Sequence, residues 1–86
     1  MHPPYTSVRQ QRIEGTVLRV DIINRELAVF AGGMRVVIDV PADCRIVLRG
    51  EPVKLRMLQP LDRVRVACNI SDRLPIANAV EVGPGG

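Results

Sequence analysis

The stretch "RELAVFAGGMRVVIDV", residues 25 to 40, decides the fold, because two alternating apolar runs flank a pair of glycines. Gly32-Gly33 predicts a two-residue hairpin turn, since a type I′ turn needs positive φ at both positions and glycine adopts it without a steric cost. The alternation predicts that one face of the hairpin is buried. The residues predicted to face inward are Leu27, Val29, Ala31, Val36, Ile38 and Val40. Those predicted to face outward are Ala28, Phe30, Arg35, Val37 and Asp39.

Short runs of Val, Ile and Leu, separated by turn residues, continue on both sides of this hairpin. In the preceding run the alternation predicts Leu18, Val20 and Ile22 inside and Val17, Arg19 and Asp21 outside. Ile13 has the opposite parity to Leu18, so a bulge or kink is expected near Gly15. The later inward residues are predicted to be Ile46, Leu48, Val64, Val66 and Cys68. The last run, "IANAVEV", leaves two parities open, Ile76, Asn78 and Val80 or Ala77 and Ala79.

Five or six short strands favour a single all-β domain, a small closed or partly open barrel, over an immunoglobulin sandwich of about 100 residues. The barrel is predicted over residues 12 to 82, with a flexible segment at 1 to 11 and a flexible tail at 83 to 86. Before Pro60, a short strand and a 3₁₀ turn are expected. An oligonucleotide/oligosaccharide-binding (OB) arrangement and an SH3-like barrel both remain open.

Four stretches in order, "GTVLRVD", "RELAVFAGGMRVVIDVPADCRIVLRG", "PVKL" and "LQPLDRVRV", carry a resemblance. Over residues 13 to 82 the chain resembles small bacterial β-barrel domains of unknown function with an OB-like arrangement. The resemblance implies that barrel fold. Many such domains have glycine where this chain has Leu61.

Composition limits the class of protein. The chain has 86 residues, 47% of them hydrophobic, with no Trp and only Tyr5 and Phe30 as aromatics. A small aliphatic core is marginal by itself, which favours self-association. No signal peptide and no apolar stretch of about 20 residues is visible, so a soluble, reduced, cytoplasmic protein is expected, with no membrane contact.

The inventory of reactive side chains predicts that the protein is not an enzyme. The single His2 lies in the N-terminal segment, and Ser7 and Ser71 have no partner base. The aspartates at turns and strand ends, Asp21, Asp43, Asp62 and Asp72, are interpreted as turn residues. Soft donors that could in principle bind Cu(I), namely Met1, His2, Met34, Met57, Cys44 and Cys68, show no ligand spacing, and Cys44 and Cys68 are expected in or near the core. No cofactor, metal or small-molecule substrate is predicted.

Arginines beside the single aromatic of the hairpin give one functional hypothesis. A Gly32-Gly33 turn places Phe30 opposite Arg35, and a hairpin turning at Asn24-Arg25 would also place Arg19 opposite Phe30. Cationic side chains around an aromatic are typical of single-stranded nucleic-acid sites on OB barrels. In "DRVRV", Arg63 and Arg65 point outward by alternation and would join such a site only if the fold brings them beside Arg19 and Arg35.

Outward apolar residues give the other hypothesis, which we prefer. Val17, Phe30, Val37 and Ala67 are predicted on the outside, and a contiguous apolar patch of that kind marks an interface. An exposed strand edge could also accept a strand from another chain. The sequence therefore predicts a non-enzymatic interaction module acting by protein contact or self-association, with RNA or DNA binding as the alternative.

Overall fold

The structure is a computed structural model that describes residues 9–70 and 74–83. It contains the following strands, with one 3₁₀ helix, η1, at Leu55–Met57 between the fifth and the sixth: β1 Arg9–Asp21, β2 Glu26–Ala31, β3 Met34–Asp39, β4 Arg45–Leu48, β5 Glu51–Pro52, β6 Arg63–Ile70 and β7 Ile76–Val82.

Five of the strands form a ring in the order β1, β2, β3, β7, β6. Their neighbours are antiparallel except at the seam between β3 and β7, where Asp39 pairs in parallel with Ile76 and donates its backbone N–H to the Pro75 carbonyl at 2.8 Å. Beyond this seam β4 pairs in parallel with β7, and β5 pairs with β4. The predicted small all-β barrel is confirmed, and the ring connectivity is that of the OB arrangement.

The core is aliphatic and occupies the interior of the ring. Alternation in β2, β3 and β6 is as predicted, with Leu27, Val29, Ile38 and Val66 fully buried and Cys68 at 1% exposure. Leu55, the first residue of η1, and Leu58, which follows η1, also pack into this core. The hairpin turn is confirmed, because Gly32 has φ +60° and Gly33 has φ +80°.

The predicted orientation of β1 is wrong in its second half. Val17, predicted to face outward as an interface residue, is fully buried, while Leu18 and Ile22, predicted inside, are 42% and 46% exposed. The pairing of β1 with β2 shifts between Val17 and Arg19, which leaves Leu18 as the extra residue of a β-bulge. The bulge therefore lies at Leu18, not near Gly15, and it lets Val20 lie on the core side together with Ile13 and Val17.

A second bulge resolves the open parity of the last strand. The pairing of β7 with β6 shifts between Cys68 opposite Ala77 and Ala67 opposite Ala79, so that Asn78 is the extra residue. Ala77 is buried before the bulge and Val80 after it. Each of the two alternative parities holds in one half of the strand.

The barrel begins earlier than predicted. Arg9, Gln10 and Gln11 pair with Ile70, Asn69 and Cys68, so they belong to β1 and not to a flexible segment. The antiparallel partner supplies the hydrogen-bonding ladder, which the polar sequence alone did not indicate. The remainder of the predicted flexible ends, residues 1 to 8 and 84 to 86, lies outside the described residues.

Candidate functional site

One row of outward side chains crosses four strands of the barrel. Thr16 on β1 pairs with Phe30 on β2 and with Arg63 on β6, and Phe30 pairs in turn with Arg35 on β3. Directly opposed residues have Cβ atoms about 5 Å apart, so their side chains touch or lie close together. Phe30, 49% exposed, thus has Arg35 on one side and Thr16 on the other, with Arg63 one strand beyond Thr16. We call this the basic row.

Arg19 does not belong to the basic row, contrary to the prediction. The loop between β1 and β2 spans residues 22 to 25, longer than the predicted turn at Asn24-Arg25, and it places Arg19 opposite Ala28 instead of Phe30. Ala28 pairs with Val37 on its other side, so Arg19, Ala28 and Val37 form a middle row. Arg19 and Arg35 line the same shallow depression of about 30 Å³ across the two rows.

A third, acidic row lies at the end of the strands nearest the loop. Asp21 pairs with Glu26, and Glu26 pairs with Asp39. Asp21 accepts hydrogen bonds from the Asn24 backbone N–H and side-chain amide, both at 3.0 Å. These two bonds, followed by the charge of Arg19, lower the pKa of the Asp21 carboxyl below its usual value.

The basic, middle and acidic rows together form one surface, which we call the β1–β3 face. The face carries three arginines and three carboxylates. Arg35 and Arg63 lie in the row at one end of the face, the three carboxylates lie in the row at the other end, and Arg19 lies in the middle row. Arg19 bridges the rows, since its Nη2 lies 3.9 Å from Asp21 Oδ2. The members of the face are Arg63, Thr16, Phe30 and Arg35, then Arg19, Ala28 and Val37, then Asp21, Glu26 and Asp39.

Arg65 has its own partners outside this face. Its guanidinium lies 3.4 Å from Glu14 Oε2 on β1 and 3.6 Å from Glu81 Oε1 on β7. All three side chains are more than half exposed, and they border an open depression of about 300 Å³ that Arg63 also lines. Because two carboxylates neutralise Arg65, this strand position does not add to the cationic surface around Phe30.

The four predicted interface residues do not form one patch. Val17 is in the core, as described above. Val37 is half-buried in the middle row. Its neighbour in that row, Ala28, is only 6% exposed. Ala67 is exposed elsewhere, on β6 between Arg12 and Ala79, where it lines a separate depression of about 490 Å³. Only Phe30 and Val37 share a surface.

Two of the aspartates have the turn roles that the sequence predicted. Asp21 caps the loop through Asn24, as above, and the Asp62 carboxylate accepts the Gln59 backbone N–H at 2.9 Å. Asp72 lies outside the described residues, as do Ser7 and Ser71.

The soft donors of the described residues lie on different parts of the barrel. Met34 begins β3, Met57 ends the 3₁₀ turn, Cys44 precedes β4, and Cys68 is in β6, where its Sγ donates to the Gln11 carbonyl at 3.4 Å. Burial raises the pKa of the Cys44 thiol to about 11, and it raises that of Cys68 as well. Within residues 9–70 and 74–83, no three His, Cys, Asp or Glu side chains come together as a metal site.

Sequence reasoning missed the contacts that depend on distant strands. Arg25 holds the loop after β1 against the end of β3, because its Nε donates to the Val40 carbonyl at 2.8 Å. Glu14 and Glu81 as partners of Arg65, and Thr16 as the link between Arg63 and Phe30, were not predicted either. No local sequence signal could have found them. Glu14 and Thr16 meet β6 through the pairing of β1 with β6, Glu81 meets it through the pairing of β6 with β7, and Arg25 contacts Val40 fifteen residues away. Over the part of the chain that the structure describes, no helix has the length and apolar character to span a bilayer.

Comparison with known proteins shows the fold alone. No protein-family model and no curated protein sequence matches the chain. Among solved structures it is similar to apo-CusF from Escherichia coli, with a TM-score of 0.74, 9% identity and coverage of 96% of this chain and 98% of that chain. It is also similar to CusF with Ag(I) from Escherichia coli, with a TM-score of 0.72, 9% identity and coverage of 91% and 96%.

A third similar structure is the fimbrial biogenesis protein PilY2 from Pseudomonas aeruginosa PAO1, with a TM-score of 0.67, 15% identity and coverage of 87% of this chain and 88% of that chain. One of these CusF structures holds Ag(I), whereas no metal and no small-molecule substrate is predicted for this chain. The described soft donors of this chain lie on four separate segments.

Proposed function

We propose that this small β-barrel is a non-enzymatic module that binds protein, either another chain or a second copy of itself, through the β1–β3 face. The observation that carries the proposal is the charge balance of that face around a half-exposed aromatic. A phenyl ring and arginines are the side chains most enriched at the centres of protein interfaces. The carboxylates of the acidic row would repel a polyanion and would attract the basic groups of a protein.

The packing beneath the face supports the same use. Ala28 is nearly covered although it points outward, and Val37 is half-buried beside it. These two residues of the middle row form a short apolar strip. Phe30 projects at the border of this strip with 49% of its surface exposed. A partner that covered the ring would remove apolar area from water, which is the main favourable contribution to association.

Single-stranded nucleic acid is the second candidate, favoured by the placement of Arg63. Arg35 lies directly beside Phe30, Arg63 lies beyond Thr16 in the same row, and Arg19 lies one row away. Stacking on an aromatic between cationic groups is the usual mode for single strands. The single aromatic and the adjacent acidic row rank this candidate second.

Site-specific photo-crosslinking in cells tests the proposal. A photoreactive phenylalanine analogue replaces Phe30, and the same analogue replaces Met57, which is 54% exposed and lies off the β1–β3 face, as the control. We expect adducts with protein from position 30 and not from position 57, identified by mass spectrometry. Adducts with RNA or DNA at position 30 would make nucleic-acid binding the first candidate. Equal labelling at positions 30 and 57 would show that the β1–β3 face is not the binding surface.

A substitution pair separates the two candidates in purified form. Val37→Asp places a charge in the apolar strip and should abolish protein contact, whereas Arg63→Gln, at the edge of the basic row, should weaken protein contact only slightly. For a mixed-sequence oligonucleotide, binding that falls steeply with salt and weakens on Arg63→Gln is the signature of the second candidate.

A further inference from the structure

We infer that the β1–β3 face is self-complementary and that its occupant is a second copy of this chain, in a two-fold dimer. This inference rests on the proposed function, because it uses the same face, and it names the partner.

The order of the three rows supplies the complementarity. On both β2 and β3, the acidic row and the basic row lie two residues from the middle row, on opposite sides of it. In the dimer, two faces stack on each other, and the two-fold axis lies between them and runs along the middle row. Rotation about this axis places the basic row of one copy over the acidic row of the other. Each strand then lies over the same strand of the second copy. Arg35 then lies over Asp39 of the second copy, and Asp39 over Arg35 of the second copy. An isologous interface forms both pairs at once.

The centre of the same arrangement is apolar. Ala28 and Val37 would meet their own copies across the axis, with Phe30 at the border of the strip. Arg19, which is also in the middle row, is balanced within its own chain by Asp21 at 3.9 Å. The two Arg19 side chains that meet near the axis are therefore each paired with Asp21 of their own chain.

A second copy fits this face better than a polyanion or a uniformly charged protein. Either of those would match one row and be repelled by the other, whereas a copy rotated about the middle row pairs Arg35 of each chain with Asp39 of the other and places Phe30 over Glu26. The size of the chain points the same way, because a small barrel with an aliphatic core gains stability from area buried between copies.

Reciprocal charge reversal tests the dimer. Arg35→Glu alone creates two acidic contacts with Asp39 across the axis, and Asp39→Arg alone creates two basic ones, so each variant should self-associate roughly tenfold or more weakly than the wild type. An equimolar mixture of the two variants pairs Glu at 35 with Arg at 39, and Arg35 with Asp39, and should regain the dimer mass. Sedimentation equilibrium of the purified proteins measures all three states.

Two controls keep the outcome interpretable. Arg56→Glu reverses an exposed arginine on the 3₁₀ turn, outside the face, and should leave association unchanged. Circular dichroism of each variant checks the fold, and the variant carrying both Arg35→Glu and Asp39→Arg should dimerise like the wild type. Regained mass in the mixture supports the two-fold arrangement.

A wild-type protein that stays monomeric over its whole range of solubility, or a mixture that does not regain the dimer mass, overturns the inference. Its failure is distinguishable from failure of the proposed function. Photo-crosslinks from position 30 to a different protein would support protein binding by this face and contradict the dimer. Crosslinks equal to those of the position 57 control would contradict both.

Discussion

Gly15 lies where β1 pairs with β6 on one side and begins its pairing with β2 on the other. A Cβ atom at this position would lie 2.2 Å from the Phe30 carbonyl oxygen and 2.8 Å from Val29 Cγ1. The first of these is a backbone atom, which cannot move aside without separating β1 from β2. Gly15 is therefore required for the close approach of the two strands that carry the candidate site.

Gly15→Ala should destabilise the barrel by about 3 kcal/mol, the upper part of the range for forced overpacking. Gly83→Ala is the matched control, because a Cβ there would lie 3.7 Å from the nearest atom, an ordinary contact. Chemical denaturation of the two variants measures the difference. Equal stability of both would show that β1 and β2 can separate locally at no cost.

Leu61 is a residue of the opposite kind, a bulky side chain where the backbone favours glycine. It has φ +80°, its side chain is 78% exposed, and its N–H donates to the Val17 carbonyl at 2.7 Å. The left-handed conformation costs an L-residue about 1–2 kcal/mol. The turn holds this strain because two backbone hydrogen bonds, the second from Val17 N–H to the Asp62 carbonyl at 2.8 Å, fix it against β1.

Leu61→Gly should raise the free energy of unfolding by about 1 kcal/mol, since the relief of strain exceeds the added chain entropy of glycine. The reverse change, Gly33→Leu in the hairpin turn at φ +80° with no atom within 4 Å, should lower it by a similar amount. Denaturation midpoints check both. A destabilised Leu61→Gly variant would mean that the exposed leucine makes contacts that offset its strain.

At the scale of the element, the bulge in β1 is the feature that reorders the site. Leu18 is the extra residue, so Ile13 and Val17 face the core before it and Val20 packs on the core after it. The same bulge brings Thr16 opposite Phe30, whereas the loop after β1 sets Arg19 opposite Ala28. A β1 strand without the bulge would have placed Val17 opposite Phe30 and exposed it.

Deletion of Leu18 should be tolerated, because Val17, Arg19 and Val20 would then alternate regularly with both valines inside. Deletion of Glu14 should not, because it moves Ile13 out of the core and costs about 3 kcal/mol. Both deletions shorten β1 by one exposed residue, so they form a matched pair. Thermal unfolding should show a cooperative transition for the first and a much lower midpoint for the second, and the opposite order would contradict the bulge.

At the scale of the whole molecule, the ring of five strands brings together residues from four of them to form the β1–β3 face. The charges of this face balance within one chain, and complementarity appears only when two copies are considered. The predicted cytoplasmic location and the absence of enzymatic activity stay predictions.

The dimer should make thermal stability depend on protein concentration. A native state that associates is stabilised by mass action, so the midpoint of unfolding should rise as the wild-type concentration rises. The Arg35→Glu variant should show a midpoint that does not change with concentration. Differential scanning calorimetry over a wide dilution series measures both, and a constant wild-type midpoint would count against association.

Much of the barrel could be predicted from the sequence. The Gly32-Gly33 turn and the alternation around it fixed the register of Phe30 with Arg35, because a two-residue hairpin leaves only one pairing. Val64 and Val66 were placed inside by the same period of two. These features depend on residues close together in the chain, where local sterics decide the outcome.

The rest of the site could not be predicted in this way. The burial of Val17 depends on the bulge in the pairing of β1 with β2. The position of Arg63 beside Thr16 and the contact of Arg65 with Glu14 depend on the pairing of β1 with β6, strands more than forty residues apart in the chain. A bulge also changes parity without a clear local signal, since any residue can be the extra one.

By itself, the sequence determined an all-β chain, the central hairpin and the side of most strands that faces the core, because apolar burial with a period of two is a local property. Only the tertiary structure decided which charges meet across strands and on which side of the Leu18 bulge each residue of β1 lies. The physical reason is that cross-strand register is set by backbone hydrogen bonds between distant segments, and a one-residue shift moves every following side chain to the opposite face.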